Sequence, residues 1–72
     1  MKIYTKTNCT YCYQAKALLE LHDIPYTESK LGVDHELEDI QKVMPGWRTY
    51  PMIVNGKDFI GGYSDLQEYL EG

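Results

Sequence analysis

The chain has 72 residues, of which 43% are hydrophobic, and it carries a net charge of −4. A chain of this length buries one modest core, so residues 1–72 are expected to form a single domain. The few basic residues are scattered, which argues against a nucleic-acid partner. No apolar run approaches the roughly 20 residues that span a bilayer, and the first residues show no signal-peptide pattern. We therefore expect a cytoplasmic protein without a membrane partner.

The first half of the chain predicts a strand, a helix and a second strand. Residues 1–5 alternate as a strand does, and a helix is expected to begin at Asn8 or Cys9. Residues 24–29 alternate again and predict the second strand, after the helix ends before Pro25. The predicted core face of the helix consists of Cys12, Ala15, Leu18, Leu19 and His22.

The second half predicts a helix, a hairpin and a last helix. Asp34 is the expected N-cap of a helix whose core face is Leu37, Ile40, Val43 and Met44. Strands over 50–54 and 57–60 are joined at Asn55-Gly56, a strong hairpin signal. Ser64 opens a capping box for a helix over 64–70. The order βαβαββα indicates an α/β fold with a four-stranded mixed sheet and helices on both faces. Its first two strands are expected to be parallel.

The only two cysteines, Cys9 and Cys12, lie two residues apart where the first strand gives way to the first helix. Such a pair in a chain of alternating strands and helices is typical of a thioredoxin-like redox site. Unpaired N–H groups and the helix dipole favour the thiolate at this position, and Lys6 adds a positive charge upstream. We therefore predict that Cys9 is an exposed, readily ionised nucleophile and that Cys12 is the resolving thiol.

Three other roles fit these cysteines less well. A purely structural disulfide would close a very short loop and so remove little entropy from the unfolded chain. A zinc site would need two more ligands, and the spacing of His22 and His35 matches no common zinc finger. Two inert buried thiols are disfavoured by the helix-start position and by Lys6. No bound metal is therefore expected.

Together with two further motifs, the cysteine segment resembles the glutaredoxins, a branch of the thioredoxin fold. The likeness runs from Ile3-Tyr4-Thr5-Lys6 through Cys9-Thr10-Tyr11-Cys12 and Thr49-Tyr50-Pro51 to Gly61-Gly62-Tyr63-Ser64-Asp65. It implies a monomeric, glutathione-dependent thiol–disulfide oxidoreductase of the dithiol type, with glutathione as co-substrate. The implied substrates are protein disulfides and glutathione mixed disulfides, with ribonucleotide reductase as one candidate client.

The resemblance also implies a glutathione site. Pro51 matches the family's cis-proline, so the Tyr50 backbone is expected to pair with glutathione as an added strand would. Ser64 and Asp65 open the last helix, where the γ-glutamyl end binds, and Lys6 matches the position that meets the glycyl carboxylate. The implied glutathione residues are Lys6, Thr10, Tyr11, Thr49, Tyr50, Pro51, Gly62, Tyr63, Ser64 and Asp65. The remaining aromatic residues Tyr4, Tyr13, Tyr26, Tyr69 and Trp47 are assigned to packing alone.

Two departures from the family pattern leave alternatives open. Glu38 stands at a second-helix position that often supplies a glutamine or a basic residue, and its charge would repel a substrate carboxylate. It favours an alternative in which thioredoxin reductase, rather than glutathione, reduces the protein. Thr10 replaces the family's usual active-site proline, which leaves open a [2Fe–2S] carrier that uses Cys9 together with glutathione thiols. A redox-inert binding module on the same fold is a further alternative.

Overall fold

The computed structural model describes residues 1–72 as four strands and three helices in the predicted order. The strands are β1 (Lys2–Thr5), β2 (Thr27–Lys30), β3 (Met52–Asn55) and β4 (Asp58–Gly61). The helices are α1 (Thr10–Leu21), α2 (Leu37–Val43) and α3 (Tyr63–Glu71). None of these helices combines the length and the apolar character needed to cross a bilayer.

The four strands form one mixed sheet in the order β2-β1-β3-β4. β1 and β2 are parallel, as predicted, and β3 is antiparallel to both β1 and β4. Asn55 pairs with Asp58, so the two turn residues of the hairpin are Gly56 and Lys57, one position later than predicted. Gly56 has a φ of +62°, a conformation that glycine adopts without steric cost.

Helices cover both faces of the sheet, as predicted. On the first face, a buried aliphatic cluster joins β1 and β3 to α1 and α3; its members are Ile3, Ala15, Leu18, Leu19, Ile53 and Leu66. On the second face, which α2 covers, the buried hydrophobic residues are Tyr4, Ile40, Met52 and Val54. The neighbours Ile3 and Tyr4 belong to opposite faces because successive side chains of a strand alternate.

The end of α1 delays the second strand. The Ile24 N–H donates to the Leu19 carbonyl at 2.9 Å, and Pro25 has no N–H to donate. The predicted start of β2 at residue 24 is therefore wrong, and the strand begins at Thr27. His22, predicted on the core face of α1, is the exposed C-cap residue instead.

The N-cap of α2 is Glu36 rather than the predicted Asp34. The Asp34 carboxylate instead accepts the Lys30 N–H at 2.9 Å, inside the loop that connects β2 to α2. The Glu36 N–H donates to the Asp39 carboxylate at 2.7 Å. Asp34 therefore stabilises the loop instead of capping the helix, and the N-cap lies two residues later than predicted.

The predicted core face of α2 is only partly correct. Ile40 is fully buried, whereas Leu37 is 44% and Val43 is 42% exposed. Met44 is half-buried. A helix of seven residues makes only two turns, so a single side chain reaches the middle of the sheet.

The cap of α3 also differs from the prediction. Gly62, rather than Ser64, is the N-cap residue, and Ser64 lies exposed in the first turn. The Asp65 carboxylate accepts the Gly62 N–H at 3.0 Å, which supplies one half of a capping box. The helix therefore begins at Tyr63, directly after the Gly61-Gly62 turn.

Candidate active site

The two cysteines lie where the chain enters α1. Cys9 is the N-cap residue, with extended backbone angles (φ −121°, ψ 100°), and the helix begins at Thr10. The Cys12 N–H donates to the Cys9 Sγ at 3.1 Å. The two side chains form a disulfide, with their Cα atoms 5.2 Å apart. The structure therefore shows the oxidised form of a dithiol whose first sulfur caps a helix.

Cys9 is less accessible than the sequence predicts. It is 6% exposed and Cys12 is 1% exposed, so the prediction of an exposed Cys9 is wrong for this disulfide form. The cause is local, because the Cys9 sulfur is bonded to Cys12 and accepts the first-turn N–H of the helix. Cys9 remains the more accessible of the two, which favours it as the point of attack.

A cleft of about 240 Å³ gathers three separate segments that the sequence singled out. One segment is the turn between the cysteines, the second precedes β3, and the third opens α3. The seven lining residues are Tyr11, Thr49, Tyr50, Pro51, Gly62, Tyr63 and Ser64. Three other predicted site residues, Lys6, Thr10 and Asp65, are exposed and lie outside this lining.

The Tyr50–Pro51 peptide bond is cis, as the resemblance implied. Pro51 is buried, and the strand ladder begins only at Met52. The predicted start of β3 at residue 50 is therefore wrong. Pro51 has no N–H to give to a ladder, and both Tyr50 and Pro51 line the cleft instead.

Two tyrosines face each other at the cleft. The ring centroids of Tyr11 and Tyr63 are 5.8 Å apart, and the ring planes are inclined by 31°. Tyr11 is 60% exposed. These rings offer apolar faces to a ligand, while their hydroxyls can remain hydrated.

The third side of the cleft is the start of α3. Gly61 has a φ of +123°, and a side chain at this position would collide with that of Asp65. This close approach lets the Asp65 carboxylate reach the Gly62 N–H. The first-turn N–H groups of a helix have no partner within the helix, so this side of the cleft favours an anionic group.

Sequence reasoning missed two residues that support the cleft. The Trp47 indole N–H donates to the Thr49 carbonyl at 2.7 Å, although Trp47 was assigned to packing alone. The Nε2 of His35 is hydrogen-bonded to the Tyr50 hydroxyl at 2.9 Å, although His35 was considered only as a zinc ligand. No spacing pattern connects His35 to Tyr50, because they belong to different segments that meet only in the folded protein.

Burial favours the neutral forms of both His35 and Tyr50. Desolvation lowers the pKa of His35 below its ordinary value, against the opposing effect of nearby acidic groups, chiefly Asp39. Desolvation also raises the pKa of Tyr50. The hydrogen bond between them therefore joins an uncharged imidazole to an uncharged phenol near neutral pH.

Glu38, the departure that weakened the case for glutathione, is exposed in the first turn of α2 and does not line the cleft. Its neighbour Gln41 donates from Nε2 to the Trp47 carbonyl at 3.4 Å. Gln41 therefore belongs to the structural support of the loop that precedes β3.

Comparison with known proteins assigns the family. The glutaredoxin family model matches residues 1–60. The hybrid peroxiredoxin hyPrx5 of Haemophilus influenzae is 35% identical over 70 residues, which cover 97% of this chain and 29% of that protein. The global transcriptional regulator Spx of Staphylococcus aureus is 40% identical over 43 residues, which cover 58% of this chain and 33% of that protein. The chain thus spans about a third or less of the length of these relatives.

A solved structure agrees with the family model over nearly the whole chain. Glutaredoxin 1 from Francisella tularensis superposes with a TM-score of 0.80 at 26% sequence identity, over 97% of this chain and 90% of that one. The mixed sheet and three helices are therefore the glutaredoxin form of the thioredoxin-like fold. Because the family model covers most of the sequence, including the cysteine turn, the chain belongs to the glutaredoxin family.

Proposed function

We propose that this protein is a glutathione-dependent thiol–disulfide oxidoreductase that reduces protein disulfides and glutathione mixed disulfides. Family membership and the fold support thiol–disulfide chemistry. The observation that carries the proposal is the Cys9 sulfur, which caps α1 and is already joined to Cys12. The use of glutathione as the reductant rests on the adjoining cleft.

The first step is attack by the Cys9 thiolate on a client disulfide. A bond forms between Cys9 Sγ and one client sulfur, the client S–S bond breaks, and the other client sulfur leaves as a thiolate. The Cys12 N–H donates to the Cys9 sulfur in the disulfide form, and we expect the same contact to stabilise the Cys9 thiolate once the disulfide is reduced.

The second step is attack by Cys12 on the mixed disulfide. The Cys12 thiolate bonds to Cys9 Sγ and releases the second client thiolate, so the client has gained two electrons. The product is the Cys9–Cys12 disulfide seen in the structure. One glutathione thiolate then attacks Cys9 Sγ and frees Cys12. A second glutathione attacks the bound glutathione sulfur, which releases glutathione disulfide and the Cys9 thiolate.

The cleft supplies a site for glutathione in this scheme. Tyr50 pairs its backbone with the tripeptide, in the manner of an added strand. The first turn of α3 receives the γ-glutamyl carboxylate, and Asp65 receives its ammonium group. Lys6 receives the glycyl carboxylate. Thr10, Thr49 and the Tyr11–Tyr63 pair complete the surroundings of the reacting sulfur.

The biological setting is also part of the proposal. We place the protein in the cytoplasm, where glutathione keeps thiols reduced, as a monomer whose residues 1–72 form one domain. Ribonucleotide reductase is a candidate client. A peroxiredoxin is a second candidate client, because a relative whose alignment covers 97% of this chain is named a hybrid peroxiredoxin.

The test is glutathione-coupled reduction of a glutathionylated peptide by the wild type and by the Cys9→Ser and Cys12→Ser variants. Activity is expected to be lost in Cys9→Ser, because no nucleophile remains, and kept in Cys12→Ser, because glutathione itself resolves the intermediate. Reduction of a protein disulfide is expected to need both cysteines.

Other outcomes would assign the alternatives. A wild type that is inert with glutathione, yet reduced by thioredoxin reductase, would contradict the proposal and direct attention to Glu38. A protein that is coloured after anaerobic purification would indicate the cluster carrier. Failure to form the Cys9–Cys12 disulfide in solution would indicate a redox-inert module.

A further inference from the structure

A chain of hydrogen bonds on the second face ends at the cleft. The Ser29 hydroxyl is hydrogen-bonded to the Nδ1 of His35 at 2.9 Å, and the Nε2 of His35 is hydrogen-bonded to the Tyr50 hydroxyl at 2.9 Å. His35 is 8% exposed and Ser29 is 6% exposed. Both ring nitrogens of a buried histidine are therefore engaged, and one of their partners is a cleft residue.

The His35 ring is held in place independently of Tyr50. The backbone carbonyl of His35 accepts the Gly32 N–H at 2.8 Å, and the backbone N–H of His35 donates to the Lys30 carbonyl at 3.3 Å. The ring meets the Tyr4 ring edge to face, with centroids 5.1 Å apart. His35 is thus fixed to the end of β2 and to the central strand β1 before α2 begins.

Donors and acceptors match in both hydrogen bonds of His35. A neutral imidazole has one N–H donor and one acceptor nitrogen, whereas a hydroxyl both donates and accepts. One hydroxyl can therefore donate to the ring while the other accepts from it, in either tautomer. A buried hydrogen-bond chain with every member satisfied restricts the position of its members.

We propose that His35 is a positioning residue for glutathione binding, which acts by holding the Tyr50 hydroxyl and thereby fixing Tyr50 against the cleft. The Tyr50 ring packs among the second-face residues while Tyr50 also lines the cleft, so one residue connects the two regions. The His35 and Tyr50 ring centroids lie 5.8 Å apart, and the hydrogen bond adds a directional restraint to this contact. The inference rests on the proposed use of glutathione.

The decisive variant is Tyr50→Phe, which removes one hydroxyl and keeps the ring. Its matched control is Tyr26→Phe, because the Tyr26 hydroxyl donates to Glu20 at 2.7 Å and Tyr26 does not line the cleft. Three quantities are measured for each protein. Two are the steady-state KM and kcat for a glutathionylated peptide, and the third is the rate at which iodoacetamide alkylates Cys9 in the reduced protein.

The Tyr50→Phe variant is expected to raise KM by about threefold to tenfold, the range that corresponds to one net hydrogen bond. Its kcat and its alkylation rate are expected to match the wild type, because iodoacetamide makes no use of a glutathione site. The Tyr26→Phe variant is expected to match the wild type in all three quantities.

A second variant, His35→Phe, tests the other end of the same bond. The double variant Tyr50→Phe with His35→Phe is expected to show no higher KM than the single His35→Phe change, because both substitutions remove one shared interaction. Urea unfolding of each variant verifies that it is folded. If His35→Phe does not fold, the comparison of Tyr50→Phe with Tyr26→Phe still decides.

Three results would overturn the inference. If Tyr50→Phe has the KM of the wild type, and the wild type turns over glutathione normally, the inference about His35 is wrong while the proposed function stands. A parallel fall in kcat and alkylation rate would show general damage to the fold instead of a positioning role. A wild type without glutathione turnover overturns the proposed function and this inference together.

Discussion

The two faces of the sheet are built differently. The first face packs six buried aliphatic residues between the sheet, α1 and α3. The second face has four buried hydrophobic residues, one of them a tyrosine, surrounded by the half-buried aromatic rings of Trp47, Tyr50 and Phe59. It also contains the hydrogen-bonded pair Ser29 and His35. Ser29 lies beside Tyr4 in the parallel register of β1 and β2.

This difference separates two tasks. The first face holds α1, and with it the cysteine turn, mainly by hydrophobic burial, and Lys16 of α1 adds an ion pair to Glu28 of β2 at 3.1 Å. The second face holds the loop that precedes β3 through directed hydrogen bonds from His35 and Trp47. A hollow of about 380 Å³ beside Tyr4, Val43 and Phe59 shares no lining residue with the cleft. We therefore expect the first face to contribute more to the free energy of unfolding, and the second face to hold the cleft residues Thr49 and Tyr50 in place.

The largest expected effect is on the first face. Leu19 is fully buried in its aliphatic cluster, and Leu19→Ala is expected to lower the free energy of unfolding by about 2–5 kcal/mol, because it removes buried methyl groups and leaves a cavity. Urea unfolding of the oxidised protein measures this loss. A loss below about 1 kcal/mol would show that the first face does not dominate stability.

A smaller effect, and one that depends on pH, is expected on the second face. The pKa of His35 is lower in the folded protein than its ordinary value of 6.5, chiefly through desolvation. Below pH 6.5 the folded protein therefore binds fewer protons than the unfolded chain. The contribution of neutral His35 to the free energy of unfolding is fully present above pH 6.5 and is lost as the pH falls through the lowered pKa. The pKa of Glu28 is also lowered, chiefly by the Thr5 hydroxyl, but its ordinary value of 4.5 places its effect at lower pH.

Urea midpoints between about pH 5 and pH 7 measure this slope, in the wild type and in the His35→Phe variant. The wild type is expected to lose stability toward the acidic end, and the variant is expected to lose less. An equal slope in both proteins would assign the pH dependence to another group. It would also show that the buried histidine of the second face does not make the stability of that face depend on pH.

The smallest expected effect comes from the exposed side of α2. Leu37 was predicted to face the core but is 44% exposed. Leu37→Ala is therefore expected to change the free energy of unfolding by no more than about 0.5 kcal/mol, as surface substitutions usually do. Because the substitution is chemically the same as Leu19→Ala, the pair isolates burial as the cause. Losses of similar size would contradict burial as the cause of the Leu19 effect.

Several features were predictable because the signal lies in neighbouring residues. The burial of Ala15, Leu18 and Leu19 follows from helical spacing on one helix. The alternation of Ile3 and Tyr4 between faces follows from the period of a strand. The position of Cys9 at the start of α1 follows from the Cys-x-x-Cys spacing at a strand–helix boundary. The family followed from three short motifs at their observed separations.

Helix caps were harder to predict because several nearby residues compete for the same N–H groups. Asp34 and Ser64 both resemble N-caps in sequence, yet Glu36 and Gly62 occupy those positions. Asp34 closes a loop instead. Which polar side chain reaches a given N–H depends on the path of the loop, and the local sequence does not fix that path.

The sequence by itself determined the element order, the redox pair and the family, since each depends on spacing along the chain. Only the tertiary structure decided which residues support the cleft. His35 and Tyr50 are 15 residues apart and belong to separate segments, so no periodicity links them. The low exposure of Cys9 was likewise decided by its disulfide and by the N–H that it accepts. Contacts between distant segments exist only after the sheet has brought those segments together, because their geometry is a property of the packed chain.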